Sequence, residues 1–162
     1  MGTEIERRFL VAGDWPKQLS EPVRTSQGYL PLNAEGVEIR VRSKGGTYWL
    51  TVKSGAGLVR QEAEQQISDD VYRALWPLTD GARIVKTRHT LTLNDQVLEV
   101  DVFEGEHAGL VIAEAEFPGI GVAEAFVPPA WCGREITEDL RYRNHRLAHQ
   151  GLREIDAADL GS

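Results

Sequence analysis

The fold is indicated most clearly by the segment Glu4-Ile5-Glu6-Arg7-Arg8-Phe9-Leu10, close to the amino terminus. Neighbouring residues of a β-strand point to opposite faces of the sheet, so residues two apart share a face. Glu4, Glu6 and Arg8 therefore share one face, and Phe9 lies on the other. This alternation predicts a strand with one charged face and one largely apolar face.

The same period-two alternation recurs through the first two thirds of the chain and predicts eight strands. Two connections, Lys44-Gly45-Gly46 and Asn94-Asp95, carry hairpin signals because glycine and asparagine tolerate the positive φ of tight turns. Such turns favour sequential antiparallel pairing. The predicted strands span residues 3–11, 23–31, 36–43, 47–53, 58–67, 83–93, 96–104 and 110–118.

Three helices are expected beside these strands. Ser68 is placed to cap one helix, which Pro77 ends, and a short helix is expected over residues 122–126. Thr137 is placed to cap the longest helix, which runs to about Gln150. No repeat, linker or change of composition marks a second domain, so we expect one domain over residues 1–162 with a flexible tail from about residue 154.

Composition and charge exclude several classes of protein. Eighteen Lys and Arg against 25 Asp and Glu leave a formal net charge of -7, which argues against a surface that binds nucleic acid or an anionic membrane. The single cysteine, Cys132, forms neither an internal disulfide nor a thiolate zinc cage, which favours a reducing compartment. No apolar run is long enough to span a bilayer. These features predict a cytoplasmic protein with no nucleic-acid or membrane partner.

Charged residues occupy one face of six further predicted strands, as they do in the first. Two readings are open: a sheet with one solvated face, or a barrel with the charged face turned inward. The first predicts that neutral substitutions at Glu4 or Arg42 leave metal and phosphate affinity unchanged. The recurring charges are Arg40 and Arg42; Lys53; Arg60, Glu62 and Glu64; Lys86 and Arg88; Glu99 and Asp101; Glu114 and Glu116.

These strand faces consist almost wholly of Glu, Asp, Arg and Lys. This favours the barrel, because a solvated face usually mixes Thr, Ser and Gln with the charged residues. Eight consecutive antiparallel strands close into a barrel that holds side chains or one small ligand. We therefore expect a mainly β (α+β) fold, an eight-stranded antiparallel closed barrel with a charged tunnel, flanking short helices and a C-terminal helix. The apolar outer face then requires a cover, which is either the helices or a second copy in a homodimer.

The types of charge in the tunnel indicate its chemistry. Carboxylates without Cys or clustered His favour hard cations such as Mg²⁺ or Mn²⁺. Arginine and lysine suit phosphate oxygens, arginine through its bidentate fork. Together they predict a site for a metal and a small polyanion. His145 and His149, four residues apart, have a zinc-compatible spacing, but two surface histidines are the better interpretation because no third ligand is evident.

The ordered motifs resemble those of the CYTH, or triphosphate tunnel metalloenzyme, superfamily, and are most similar to those of short bacterial inorganic triphosphatases. The opening stretch resembles the family's E-x-E-x-K motif, and the resemblance covers nearly the whole chain. The further matching motifs are Gln27-Gly28-Tyr29-Leu30, Glu38-Ile39-Arg40-Val41-Arg42, Leu50-Thr51-Val52-Lys53, Arg60-Gln61-Glu62-Ala63-Glu64, Val85-Lys86-Thr87-Arg88, Leu98-Glu99-Val100-Asp101, Glu114-Ala115-Glu116 and the segment from Glu138 to Ala148.

The resemblance implies metal-dependent hydrolysis of a triphosphate, most simply inorganic tripolyphosphate. It implies metal ligands at Glu4, Glu6, Glu114 and Glu116, with Glu62, Glu64 and Asp101 as further or water-mediated ones. It implies substrate contacts at Arg40, Arg42, Lys53, Lys86 and Arg88, with Arg60 as an addition, and places Tyr29 near the reacting end.

Arg8 departs from the family motif, which usually has lysine at this position. A guanidinium stays protonated, so Arg8 binds phosphate and offsets charge but does not act as a general base. Two alternatives stay open on the sequence: a nucleotide-acting relative, either an adenylate cyclase or a thiamine triphosphatase, and a noncatalytic module that binds polyphosphate or nucleotide.

Overall fold

Nine strands and three α-helices form the part of the chain that the computed structural model describes, residues 2–55 and 57–161. The strands are β1 (Gly2–Val11), β2 (Glu21–Tyr29), β3 (Val37–Lys44), β4 (Thr47–Ser54), β5 (Val59–Ile67), β6 (Arg83–Leu93), β7 (Gln96–Phe103), β8 (Val111–Glu116) and β9 (Cys132–Glu135). The helices are α1 (Asp69–Leu75), α2 (Ile120–Ala125) and α3 (Asn144–Gln150).

The first eight strands close into an antiparallel barrel. Their order is β5-β4-β3-β2-β6-β7-β8-β1, and pairing between β1 and β5 closes the ring. One strand closes it on both sides, because β1 pairs with β5 over Gly2–Ile5 and with β8 over Glu6–Leu10. The predicted eight-stranded barrel is confirmed. Sequence reasoning missed the short strand β9, which pairs with the end of β1.

Both predicted hairpin turns are present. Gly45 and Gly46 have φ values of 55° and 82°, and Asn94 and Asp95 have values of 50° and 64°. These left-handed conformations fit the right-handed twist of the flanking strands, which is why glycine and asparagine mark such turns.

Two apolar clusters pack the barrel, one inside it and one outside. The inner cluster includes Leu10 and Ile112, which share the faces of Arg8 and Glu114 further along the same strands, and α3 contributes Leu147 to it. The outer cluster includes Val100 and Ala113 and is partly covered by α2 and its neighbouring loops. The chain's own helices therefore cover part of the outer face, and the homodimer stays a prediction.

The predicted start of α1 is correct. The last helix ends at Gln150 as predicted, but its predicted start at Thr137 is wrong. The Ser68 side chain accepts a hydrogen bond from the Val71 amide, so the predicted cap of α1 is confirmed. Thr137 does not begin a helix, because its hydroxyl accepts from the Arg8 amide and donates to Glu135. A 3₁₀ turn over Leu140–Tyr142 follows, and α3 begins only at Asn144.

The C-terminal tail lies against the barrel. Leu152, Ile155 and Leu160 pack against the inner cluster, and the Gly161 amide donates to the Gly109 carbonyl over 2.7 Å. Its flexibility in solution stays a prediction. No helix in residues 2–55 and 57–161 combines the length and the apolar character needed to cross a membrane.

Candidate active site

The barrel encloses a charged cavity of about 340 Å³. Eight acidic and eight basic side chains line it, so their formal charges cancel and the net charge of -7 lies outside the cavity. The acidic residues are Glu4, Glu6, Glu38, Glu62, Glu64, Glu99, Glu114 and Glu116, and the basic ones are Arg8, Arg40, Arg42, Lys44, Lys53, Arg60, Arg88 and Arg143.

The charged side chains point inward, since they line the cavity, and the strand register explains why they share one face. Arg8 pairs directly with Glu114, and Glu6 pairs with Glu116, across β1 and β8. Because paired residues point to the same face, the charged face of each strand continues onto its neighbour. This arrangement rules out the alternative in which the charges form a solvated outer face.

Arginines crowd one part of the cavity. Arg40 and Arg42 both approach the Glu64 carboxylate, at 3.8 and 3.3 Å. Burial and the neighbouring cations Arg40 and Arg88 lower the pKa of Arg42 to about 10. The Nε atoms of Arg40 and Arg42 are buried without a hydrogen-bond partner in the described residues. Buried donors without acceptors are costly, so this wall suits an incoming anion.

Several carboxylates in the cavity lack a basic partner. Glu6, Glu62 and Glu116 form no ion pair within the described residues. Burial, followed by the Glu114 and Glu4 carboxylates, raises the pKa of Glu6 to about 7. Burial and Glu4 likewise raise the pKa of Glu116. A bound cation would relieve this repulsion, since an opposite charge favours the ionised form.

Arg8 lines the same cavity and is almost fully buried, at 6% exposure. Its Nε donates to Glu114 over 2.9 Å, and its Nη1 donates to the Tyr142 carbonyl over 2.9 Å. Its Nη2 is buried and has no hydrogen-bond partner in the described part of the chain. The guanidinium is thus fixed on two nitrogens and leaves the third available to a ligand.

Lys86 and Asp101 do not line the cavity. Lys86 Nζ lies 2.6 Å from Asp101 Oδ2, and both side chains are 1% exposed. Arg88 also binds Asp101, with Nε 2.7 Å from Oδ1. The structure therefore brings Arg88 to the cavity and places the Lys86–Asp101 pair behind it, where the pair supports Arg88.

Tyr29 borders the cavity at the end where α3 packs. Its side chain is buried, and its hydroxyl accepts from Gln27 Nε2 over 3.1 Å. The His145 ring of α3 meets the Tyr29 ring edge-on, with centroids 5.0 Å apart. Burial raises the pKa of Tyr29, so the phenol is neutral at ordinary pH.

Comparison with known proteins agrees with this geometry. The family model of the CYTH domain matches residues 2–146. The chain belongs to the CYTH domain family.

Curated relatives of this CYTH protein share most of its length. An inorganic triphosphatase of Nitrosomonas europaea is 46% identical over 147 residues, which cover 90% of this chain and 97% of that protein. An inorganic triphosphatase of Acetivibrio thermocellus is 39% identical over 149 residues, which cover 91% of this chain and 94% of that protein. The crystal structure of an inorganic triphosphatase matches with a TM-score of 0.69 at 44% identity, covering 92% of this chain and 96% of that one.

CYTH triphosphatases are in general metal-dependent, and the donor set of this cavity fits a metal. The unpaired carboxylates supply the oxygen ligands that Mg²⁺ and Mn²⁺ prefer. No three His, Cys, Asp or Glu side chains among the described residues converge on one point as a ready cage. An ion here would therefore take its remaining ligands from water and substrate phosphates, as Mg²⁺ usually does.

The structure adds cavity residues that sequence reasoning missed. Glu38 and Lys44 lie on the same face of β3 as Arg40 and Arg42, because these four positions are two residues apart. The period-two rule could therefore have found them. Arg143 and Asn144 come from the C-terminal segment, where no strand periodicity exists to signal them.

The two C-terminal histidines are not arranged as a metal site. His149 Nδ1 lies 2.8 Å from the His145 carbonyl oxygen, while the His145 ring packs on Tyr29. The described residues hold no third ligand beside them.

Proposed function

We propose that this CYTH protein hydrolyses inorganic triphosphate and releases phosphate. The main support for this proposal is the closed barrel, in which buried arginines with unpaired donors and carboxylates without ion pairs line one cavity. The arginines match phosphate oxygens, and the carboxylates match the cations that accompany them. The names of the two curated relatives support the same reaction.

The basic residues are proposed to hold the triphosphate. Arg40, Arg42 and Arg88 line the cavity and are proposed to contact it directly, together with Lys53 and Arg60. Lys53 also forms an ion pair with Glu4 at 3.0 Å, and Arg60 with Glu38 at 3.2 Å, so both cations are positioned by carboxylates. Lys86 acts on the substrate only through Arg88 in this arrangement.

The carboxylates are proposed to hold Mg²⁺ or Mn²⁺. Glu4, Glu6, Glu114 and Glu116 are the first candidates, and Glu62 and Glu64 are further or water-mediated ones. Asp101 is too deeply enclosed by Lys86 and Arg88 to be favoured as a ligand. A bound ion would neutralise charge on the phosphates and lower the pKa of coordinated water.

The chain's own residues supply positioning and charge stabilisation. Phosphoryl transfer depends mainly on these two effects, because little covalent chemistry falls to the protein. Arg8 Nη2 is the donor that meets charge spreading over the transferred group. By analogy with oxyanion-hole donors, removal of one such cation costs about 2.7 to 4 kcal/mol of barrier. Neutral Tyr29 is proposed to donate a hydrogen bond near the reacting end.

A product panel tests this function. Purified protein with Mg²⁺ or Mn²⁺ is given tripolyphosphate, ATP and thiamine triphosphate, and phosphate release and nucleotide products are measured. We expect phosphate release to be fastest from tripolyphosphate. Cyclic nucleotide from ATP, or preference for thiamine triphosphate, would favour a nucleotide-acting relative. Tight triphosphate binding in calorimetry without turnover would favour a noncatalytic binding module.

A further inference from the structure

The C-terminal tail is connected to the cavity through Tyr142. Tyr142 is fully buried, and its hydroxyl donates to Asp159 Oδ2 over 2.6 Å. Asp159 belongs to the tail, beyond the residues that the family model matches. At its other end Tyr142 presents the carbonyl that accepts from Arg8 Nη1 over 2.9 Å. Tyr142 therefore connects the Asp159 carboxylate to the Arg8 guanidinium in the cavity, with one hydrogen bond at each end of the residue.

Tyr142 is held on several sides, so its carbonyl has one position. Its ring packs in the inner cluster, and the guanidiniums of Arg134 and Arg141 lie 5.5 and 5.6 Å from the ring centroid. Arg134 also donates to Asp159 over 2.9 Å. The 3₁₀ turn that ends at Tyr142 is capped by the Asp139 side chain, which accepts from the Arg141 amide.

Arg8 needs such support. Its backbone is hydrogen-bonded to the segment that precedes Tyr142. The Arg8 amide donates to Thr137 Oγ1, and the Arg8 carbonyl accepts from the Ile136 amide. Glu114 fixes one edge of the guanidinium, but Glu114 also binds Arg88 and is a candidate metal ligand. The Tyr142 carbonyl is therefore the contact that fixes the other edge independently of the metal.

We propose that Tyr142 and Asp159 are positioning residues that hold Arg8 in the orientation in which its free Nη2 meets the triphosphate. The kinetic part of this inference rests on the proposed function. Removing the anchor lets the carbonyl and guanidinium shift while the cavity charges stay. Since a positioned donor acts mainly on charge that develops during reaction, kcat falls more than KM rises.

The kinetic test uses Tyr142→Phe and Asp159→Ala, with Asp156→Asn as the control. Asp156 lies in the same tail, and its side chain is 72% exposed. Within the described residues that side chain makes one ion pair, with Arg141 at 3.7 Å. Loss of about one hydrogen bond predicts a fall in kcat of about five-fold for each variant, with KM for triphosphate changed by less than about two-fold. The double variant should be no slower than either single one.

An Arg8→Ala background separates positioning from general destabilisation. There Tyr142→Phe should leave the residual kcat unchanged, because the group that it positions is gone. An equal fall of kcat in both backgrounds would overturn the proposal.

A second readout does not depend on activity. Hydrogen exchange of the Arg8 Nη1–H, which donates to the Tyr142 carbonyl, is followed by NMR in the full chain. It should be slow in wild type and the control, and about five-fold or more faster in Tyr142→Phe. Unchanged exchange would overturn the proposal even if Arg8→Ala fails to fold. A wild-type protein that releases no phosphate would contradict the proposed function, and the exchange measurement would still decide the positioning.

Discussion

The Lys86 ammonium and the Asp101 carboxylate form an ion pair of 2.6 Å behind the cavity wall, with both side chains 1% exposed. Burial alone would raise the pKa of Asp101, but the Arg88 and Lys86 cations hold it well below its usual range. This pair supports Arg88, which reaches past it into the cavity. The walls of the cavity are therefore built from charges that fix one another before any ligand arrives.

Asp101→Asn should destabilise the protein strongly. It leaves buried Lys86 without its carboxylate and takes one partner from Arg88, which keeps Glu99 and Glu114. Breaking a buried pair typically costs about 3 to 5 kcal/mol. Urea unfolding followed by circular dichroism measures the free energy of unfolding. The matched control is Glu104→Gln, which removes an exposed partner of Arg24 and should change stability by less than about 1 kcal/mol. Equal stability of both variants would contradict a supporting role for the pair.

Arg42→Ala should lower kcat/KM for triphosphate by about 10²- to 10³-fold, because it removes a cation aimed at the phosphates. Steady-state phosphate release measures the effect. Arg24→Ala is the control, since this arginine is 70% exposed, and its activity should match wild type. A similar loss in both variants would mean that the arginines act through overall charge.

Glu6 makes stability depend on pH. Its folded pKa is about 7, above the ordinary 4.5, so the folded state keeps a proton that the unfolded state has lost. In metal-free buffer the free energy of unfolding should therefore fall as pH rises from about 4.5 through about 7, by roughly 1 to 3 kcal/mol. Glu6→Gln should reduce this fall and be the more stable protein at about pH 8, while the raised pKa of Glu116 leaves part of it. Glu124→Gln, at an exposed position of α2, should keep the full fall. A wild-type profile that rises over this window would contradict the account of the carboxylate wall.

Divalent cations should stabilise the free protein by relieving the same repulsion. At about 100 times the dissociation constant, a bound ion adds about 2.7 kcal/mol to the free energy of unfolding. Mn²⁺ should therefore raise the melting temperature by roughly 5 °C or more. The rise should be much smaller in Glu116→Gln and unchanged in Glu124→Gln. An equal rise in all three proteins would place the ion outside this cavity.

The barrel could be predicted from the sequence because its signal is local and repeated. Alternation within each strand, and positive-φ residues at turns such as Gly45-Gly46, determine strands and hairpins one at a time. The inward direction of the charges was inferred from strand faces that are almost wholly charged, and the side chains that line the cavity confirm it. The family prediction is confirmed by the match over residues 2–146.

The C-terminal segment could not be predicted in the same way, because its conformation depends on tertiary contacts. Thr137 has the residue type of a helix cap, but the Arg8 amide and the Glu135 carboxylate compete for its hydroxyl. Arg143 reaches the cavity from outside any strand, so the period-two pattern of the strands does not predict it. Lys86 and Asp101 have the correct strand face for the cavity, and only the packing shows that they pair with each other.

The central claim is that this cavity hydrolyses inorganic triphosphate with the help of a divalent cation. The most direct test is phosphate release from tripolyphosphate by wild type and by the Arg40→Ala, Arg42→Ala double variant, with Mg²⁺ or Mn²⁺ and with a chelator. We expect rapid release by wild type with metal, and loss of release with chelator or in the double variant. Release by wild type no faster than by the double variant, with metal present, would contradict it.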